Sequence, residues 1–65
     1  GVLDTEKCYV RKTGMTYHVD LHITVNAEIS VKKGHDIAHN VKNELLAHFP
    51  EIFDVLIHVE PDDFY

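Results

Sequence analysis

Apolar and polar residues alternate without a break from Met15 to Asn26. Tyr17, Val19, Leu21, Ile23 and Val25 share one side; His18, Asp20, His22, Thr24 and Asn26 share the other. Successive strand side chains point to opposite faces, so this spacing predicts a half-buried strand with one purely apolar face. Upstream, Leu3 to Arg11 carries strand formers in Thr5, Cys8, Tyr9 and Val10, although its alternation is poor, and it is expected to form a first strand. The break Lys12-Thr13-Gly14 between the two has the polar, glycine-containing character of a hairpin turn.

Beyond Ala27 to Ile29 the period lengthens. Ser30 is a good helix N-cap, without a capping box because Lys33 stands at the third position. From Val31 to Phe49, the residues Gly34, Ile37, Ala38, Val41, Leu45 and Phe49 fall in one stripe, which predicts a helix laid on a sheet and stopped by Pro50. Gly34 costs such a helix about 1 kcal/mol against alanine, so a close backbone approach is expected there. Alternation returns from Asp54 to Glu60, with Val55, Ile57 and Val59 on one side and Leu56, His58 and Glu60 on the other. Pro61 is expected to end that strand, and Asp62 to Tyr65 to form a frayed acidic tail.

The order β-β-α-β predicts an α+β, ferredoxin-like half-sandwich in a single domain covering residues 1–65. The helix must cover the Val19-Leu21-Ile23 face. One helix gives three strands little cover, so either a further helix ahead of Gly1 or a second subunit is expected to supply the rest. Gly1 at the start, followed at once by Val2-Leu3, points to a piece of a longer protein.

Composition narrows the function. A chain of 65 residues buries a small core and often depends on a metal, a partner or a neighbouring domain. A net charge of -5, with the basic residues scattered, argues against nucleic acid as a partner. Cys8 stands alone, so no internal disulfide forms; it reads as a small buried residue of a reducing compartment. No apolar run reaches membrane-spanning length. Six histidines are the outlier.

Those histidines are patterned. His18, Asp20 and His22 repeat every second residue on the organising strand, and His58 and Glu60 do the same on the last one. His35 and His39 lie four apart on the helix, hence on one side of it. Glu6, on the first strand, could be brought near His18 or His22 by the hairpin. Imidazole and carboxylate together suit a borderline divalent cation such as zinc, and a strand aims alternate residues in one direction. His22, His35 and His58 read as ligands, His18 as structural, and His48 as a partner of the helix dipole. His22 and His58 point away from the helix, so His35 meets them only around a sheet edge or from a partner chain.

The runs VRKTG (residues 10–14), VDLHITV (19–25), SVKKGHDIAHNVKNELLAHFP (30–50) and DVLIHVEP (54–61) resemble, in order and spacing, the cytoplasmic C-terminal domain of cation diffusion facilitator transporters. The resemblance implies a metallochaperone-like αββαβ fold whose first helix would lie before Gly1. It also implies a homodimer, a transmembrane domain in the same chain, and regulatory metal in the cleft between subunits at the cytoplasmic face of the cell membrane. It matches His22, His35 and His58 to metal-binding positions and puts Glu60 where many members carry an acidic ligand. Glu6 falls where some members have a ligand histidine, and Asp20 matches a position that only some use; His18 and His39 have no counterpart. The implied function is metal sensing and dimerisation for a divalent-cation efflux transporter, with zinc the expected ion, metal favouring a closed dimer, and no enzymatic activity. A free-standing metal carrier or a metal-free dimerisation module is the alternative. A small metallohydrolase is disfavoured, since no nucleophile, oxyanion hole or phosphate loop is visible.

Overall fold

The computed structural model describes residues 1–62. Its elements are β1 (Asp4–Thr13), β2 (Thr16–Val25), α1 (Val31–His48) and β3 (Ile52–Pro61), so the anticipated β-β-α-β order holds. The strands form one sheet in the order β1-β2-β3, with β1 antiparallel and β3 parallel to the central β2. A parallel return needs a crossover, and α1 is that crossover.

The strands run further than their sequence pattern suggested. β1 continues through Lys12 and Thr13, which pair with Tyr17 and Thr16, leaving only Gly14-Met15 as the turn. Gly14 adopts φ +62°, the left-handed region in which a side chain is strained, and Met15 does not. That is the pattern of a two-residue type II′ hairpin turn. Met15 is therefore not a strand residue; it stands almost wholly in solvent. At the other end Pro61 is the last residue of β3, opposite Val25, and not a terminator beyond it. A proline is tolerated there because β3 is an edge strand. Asp62 is tied down, its N–H donating to the Val25 carbonyl (2.9 Å) and its carboxylate accepting from Ala27 N–H (3.0 Å). The remainder of the expected acidic tail, residues 63–65, lies outside the described residues.

Helix α1 begins as anticipated. Ser30, in extended conformation, accepts a hydrogen bond from Lys33 N–H through its hydroxyl (3.0 Å), satisfying one orphan donor of the first turn. Phe49 is the C-cap and half-exposed, so the apolar stripe ends one turn earlier than its spacing implied. Ile37 and Val41 pack on Leu21, Ile23, Val25 and Ile57, and Ile29 closes the cluster. The close approach expected at Gly34 is looser than anticipated. A methyl group there would meet Ile29 Cδ1 and Val59 Cγ1 at 3.9 Å, ordinary van der Waals contact.

The helix covers only the β2–β3 side of the sheet. Every residue of β1 is exposed, including Cys8, which is not the buried residue its type suggested. The scant cover inferred from the sequence is therefore real, and it is concentrated on one strand.

Candidate metal centre

Because β2 and β3 run parallel in register, His22 stands opposite His58, and Thr24 opposite Glu60. All four sit on the face away from α1. The rings of His22 and His58 stack, with centroids 4.2 Å apart and planes 7° from parallel. The Glu60 carboxylate reaches back to His22 Nδ1 at 2.7 Å. An ionised carboxylate only accepts, so Nδ1 donates, and Nε2 is the free ring nitrogen of His22. A histidine held in this way by a carboxylate is the usual arrangement of a metal-ligating imidazole. Both side chains are partly buried, at 23% and 31% exposure, so the pair is sheltered yet open to a small ion.

Glu60 was expected as a ligand in its own right. Here its carboxylate is the hydrogen-bond partner of His22 Nδ1. Asp20 shares the face but is opposite Leu56 and Tyr9, one step along the strand from His22. Glu6 falls at a bulge between Thr5 and Lys7 and has no residue opposite it; Lys7, not Glu6, faces His22. His35 is on α1, across the sheet from His22 and His58, and its ring lies 4.4 Å from that of His39. Among the described residues no three His, Cys, Asp or Glu side chains converge closely enough within one chain to hold an ion. Two imidazoles and a carboxylate are nonetheless the donor chemistry of a zinc-type site. Stacked rings direct their nitrogens side by side, so sharing an ion requires His58 to turn out of the stack.

Aromatic and apolar side chains share this face with Lys7 and Asp20. Tyr9 meets His22 edge-on at 6.2 Å, and His18 packs against Phe53 at 5.3 Å. Tyr9, Phe53 and Leu56 each remain more than half exposed on this side of the sheet. His48 donates from Nδ1 to the Glu44 carbonyl (2.8 Å), serving the last turn of α1 as its position suggested. Sequence reasoning missed the Glu60–His22 bond, because only parallel register brings residues 22 and 60 together.

Among the described residues Asp54 has the one carboxyl group clearly shifted, held below the ordinary carboxylate value by the hydrogen bond from Val55 N–H and then by Lys42, 3.3 Å away. This pair ties β3 to α1. It lies apart from the stacked histidines.

Comparison with known proteins places the chain in a family. The family model described as cation efflux protein, cytoplasmic domain, matches residues 1–62. The manganese efflux system protein MneP of Bacillus subtilis is 32% identical over 56 residues, 86% of this chain and 19% of that protein. The chain thus spans between 13% and 20% of the length of the curated relatives it matches. Among solved structures, the metal-bound C-terminal domain of the CzcD transporter from Thermotoga maritima superposes with a TM-score of 0.90 at 31% identity. That match covers 98% of this chain and 76% of the other. The cytosolic domain of a cation diffusion facilitator family protein superposes with a TM-score of 0.87 at 33% identity, covering 94% and 72%.

Proposed function

Since the chain belongs to the cation efflux family, as its cytoplasmic domain, we propose that it senses a divalent cation, zinc foremost, for an efflux transporter and dimerises as it does so. The observation that carries the reading is the His22–Glu60 bond beside the stacked His58, on a face that α1 leaves open. His22 and His58 would hold the ion and Glu60 would fix the His22 ring. The bound ion would supply a positive charge to which both imidazoles turn, and a second copy would complete its coordination.

The proposed interface is the same face. Tyr9, Phe53 and Leu56 give it exposed apolar area around the histidines, which is what a second copy would cover. An ion held between two copies favours the closed dimer by the difference in its affinity for closed and open forms, and that difference limits how strongly it biases the rest of the transporter. No helix among the described residues is long and apolar enough to cross a membrane, so translocation is assigned to other parts of such a transporter.

Titrating purified apo-protein with zinc, while following heat release and oligomeric mass together, tests both halves. Binding heat accompanied by a doubling of mass is expected. A dimer that forms in chelator and releases no heat with zinc would leave a metal-free dimerisation module. Heat without any dimer would leave a carrier.

A further inference from the structure

The pair His35 and His39 has no part in that reading. Both belong to the run His35-Asp36-Ile37-Ala38-His39, and residues four apart lie one above the other on a helix. Ile37 between them is buried in the core, so α1 cannot roll, and the two rings are held on its flank. That flank overhangs the outer edge of β3, where His35, Ala38, His39 and Lys42 line a shallow crevice with Val55, Leu56 and Ile57. The ring centroids are 4.4 Å apart with planes at 61°. Two imidazoles bound to one ion through nitrogens at about 2.0–2.1 Å have centroids roughly 4–5 Å apart, so little rearrangement is needed.

The surroundings favour a cation. His22 and His48 use a ring nitrogen on Glu60 and on the Glu44 carbonyl, whereas among the described residues neither His35 nor His39 has a hydrogen-bond partner. The two neighbouring lysines are neutralised, Lys32 by Asp36 at 3.2 Å and Lys42 by Asp54 at 3.3 Å. Paired histidines one turn apart on a helix are a known chelating arrangement for zinc-type ions, because both present nitrogens to the same side.

We propose that His35 and His39 form a second, separate two-imidazole site for a late first-row divalent cation, on the helix side of the sheet and distinct from His22 and His58. Imidazole donors select copper, nickel and zinc over magnesium, calcium and manganese. The other coordination positions are water, as the flank is exposed, so this site is weaker than a closed cage of four ligands. An ion there clips one helical turn, and it stabilises the folded chain by mass action. A His35 ring engaged with His39 is not available to a second copy, so the site competes with any use of His35 in the intersubunit cleft.

The test uses nickel(II) chloride with the purified chain, in the wild type and in the double variant His22→Ala/His58→Ala. The double variant is expected to keep one nickel per chain and the accompanying rise in melting temperature. Adding His39→Ala, or His35→Ala, should weaken that remaining binding by about tenfold or more, because a chelate becomes a single contact. No nickel binding in the folded double variant, or binding indifferent to His39→Ala, overturns the proposal. Should the double variant fail to fold, the wild type decides by proton NMR. Paramagnetic nickel must broaden the His35 and His39 ring resonances together; broadening of His35 with His22 and His58, and not with His39, assigns His35 to the cleft and removes the helix site. Failure of the cleft reading alone would leave these outcomes unchanged.

Discussion

The imidazole of His58 lies flat against that of His22, 4.2 Å between centroids, although the two residues are carried by strands on either side of a helical crossover. Both rings face away from the core cluster formed by Ile23, Val25 and Ile37. Their chemistry can therefore be changed with little cost in packing.

His22→Ala or His58→Ala should weaken zinc binding by about tenfold or more, with the apo-protein still folded by far-UV circular dichroism. His48→Ala, whose ring serves the end of α1, should leave affinity unchanged. Equal zinc binding by the His22 and His48 variants in calorimetry would remove the site from this face.

The role proposed for Glu60, acting through His22, is tested by its two simplest variants, which should separate. Glu60→Ala frees the Nδ1 side of the ring and should cost roughly 10–100-fold in metal affinity. Glu60→Gln keeps an amide oxygen that accepts the same hydrogen bond, and should retain most of it. Equal losses in both would make Glu60 a ligand itself.

Gly34→Ala should stabilise the protein. The helix gains about 0.5–1 kcal/mol from the propensity difference, and the new methyl meets Ile29 and Val59 at an ordinary contact distance of 3.9 Å. Urea unfolding at neutral pH measures it. A lower midpoint than wild type would mean that the backbone around Gly34 cannot hold a methyl as it stands.

Asp54 predicts a change at acid pH. Its folded-state pKa lies below the ordinary 3.8, so it adds stability above that value and loses the contribution as pH falls through its folded pKa. In Asp54→Asn the extra destabilisation that the wild type shows as pH falls below 3.8 should shrink, while stability near neutrality drops slightly. Identical pH profiles for wild type and variant, by urea titration at several acid pH values, would show the contact with Val55 and Lys42 to be inconsequential.

The sequence was most legible where burial disciplines it. β2 is central and buried on one face, so its alternation was complete; α1 presses Ile37 and Val41 into the core, so its stripe and its Ser30 cap were plain. β1 was ragged for the same physical reason in reverse. All ten of its residues are exposed, and no burial constraint dictates which of them are apolar. For the candidate site, the shared face of His22 and His58 was readable from period alone. Register was not, since nothing in a single strand announces which residue of another will lie opposite. The Glu6 bulge, the His22–Glu60 bond and the distance between His35 and the other two histidines all follow from register and layering.

The two-residue turn at Gly14-Met15 and the long crossover through α1 also set an order in time. A hairpin closes in about 1–10 μs, whereas His22 and Glu60, 38 residues apart in sequence, meet only once β3 has docked. A chain still on its way to the native state thus holds no preassembled grip for metal at this face. In a His39→Ala chain, which lacks the helix pair, zinc should leave the refolding rate of dilute chain unaltered and slow unfolding instead, the kinetic mark of a ligand that recognises only the finished structure. Stopped-flow refolding accelerated by zinc would show the ligands gathering earlier. Without such acceleration, an ion at the histidines reports that the last strand is home.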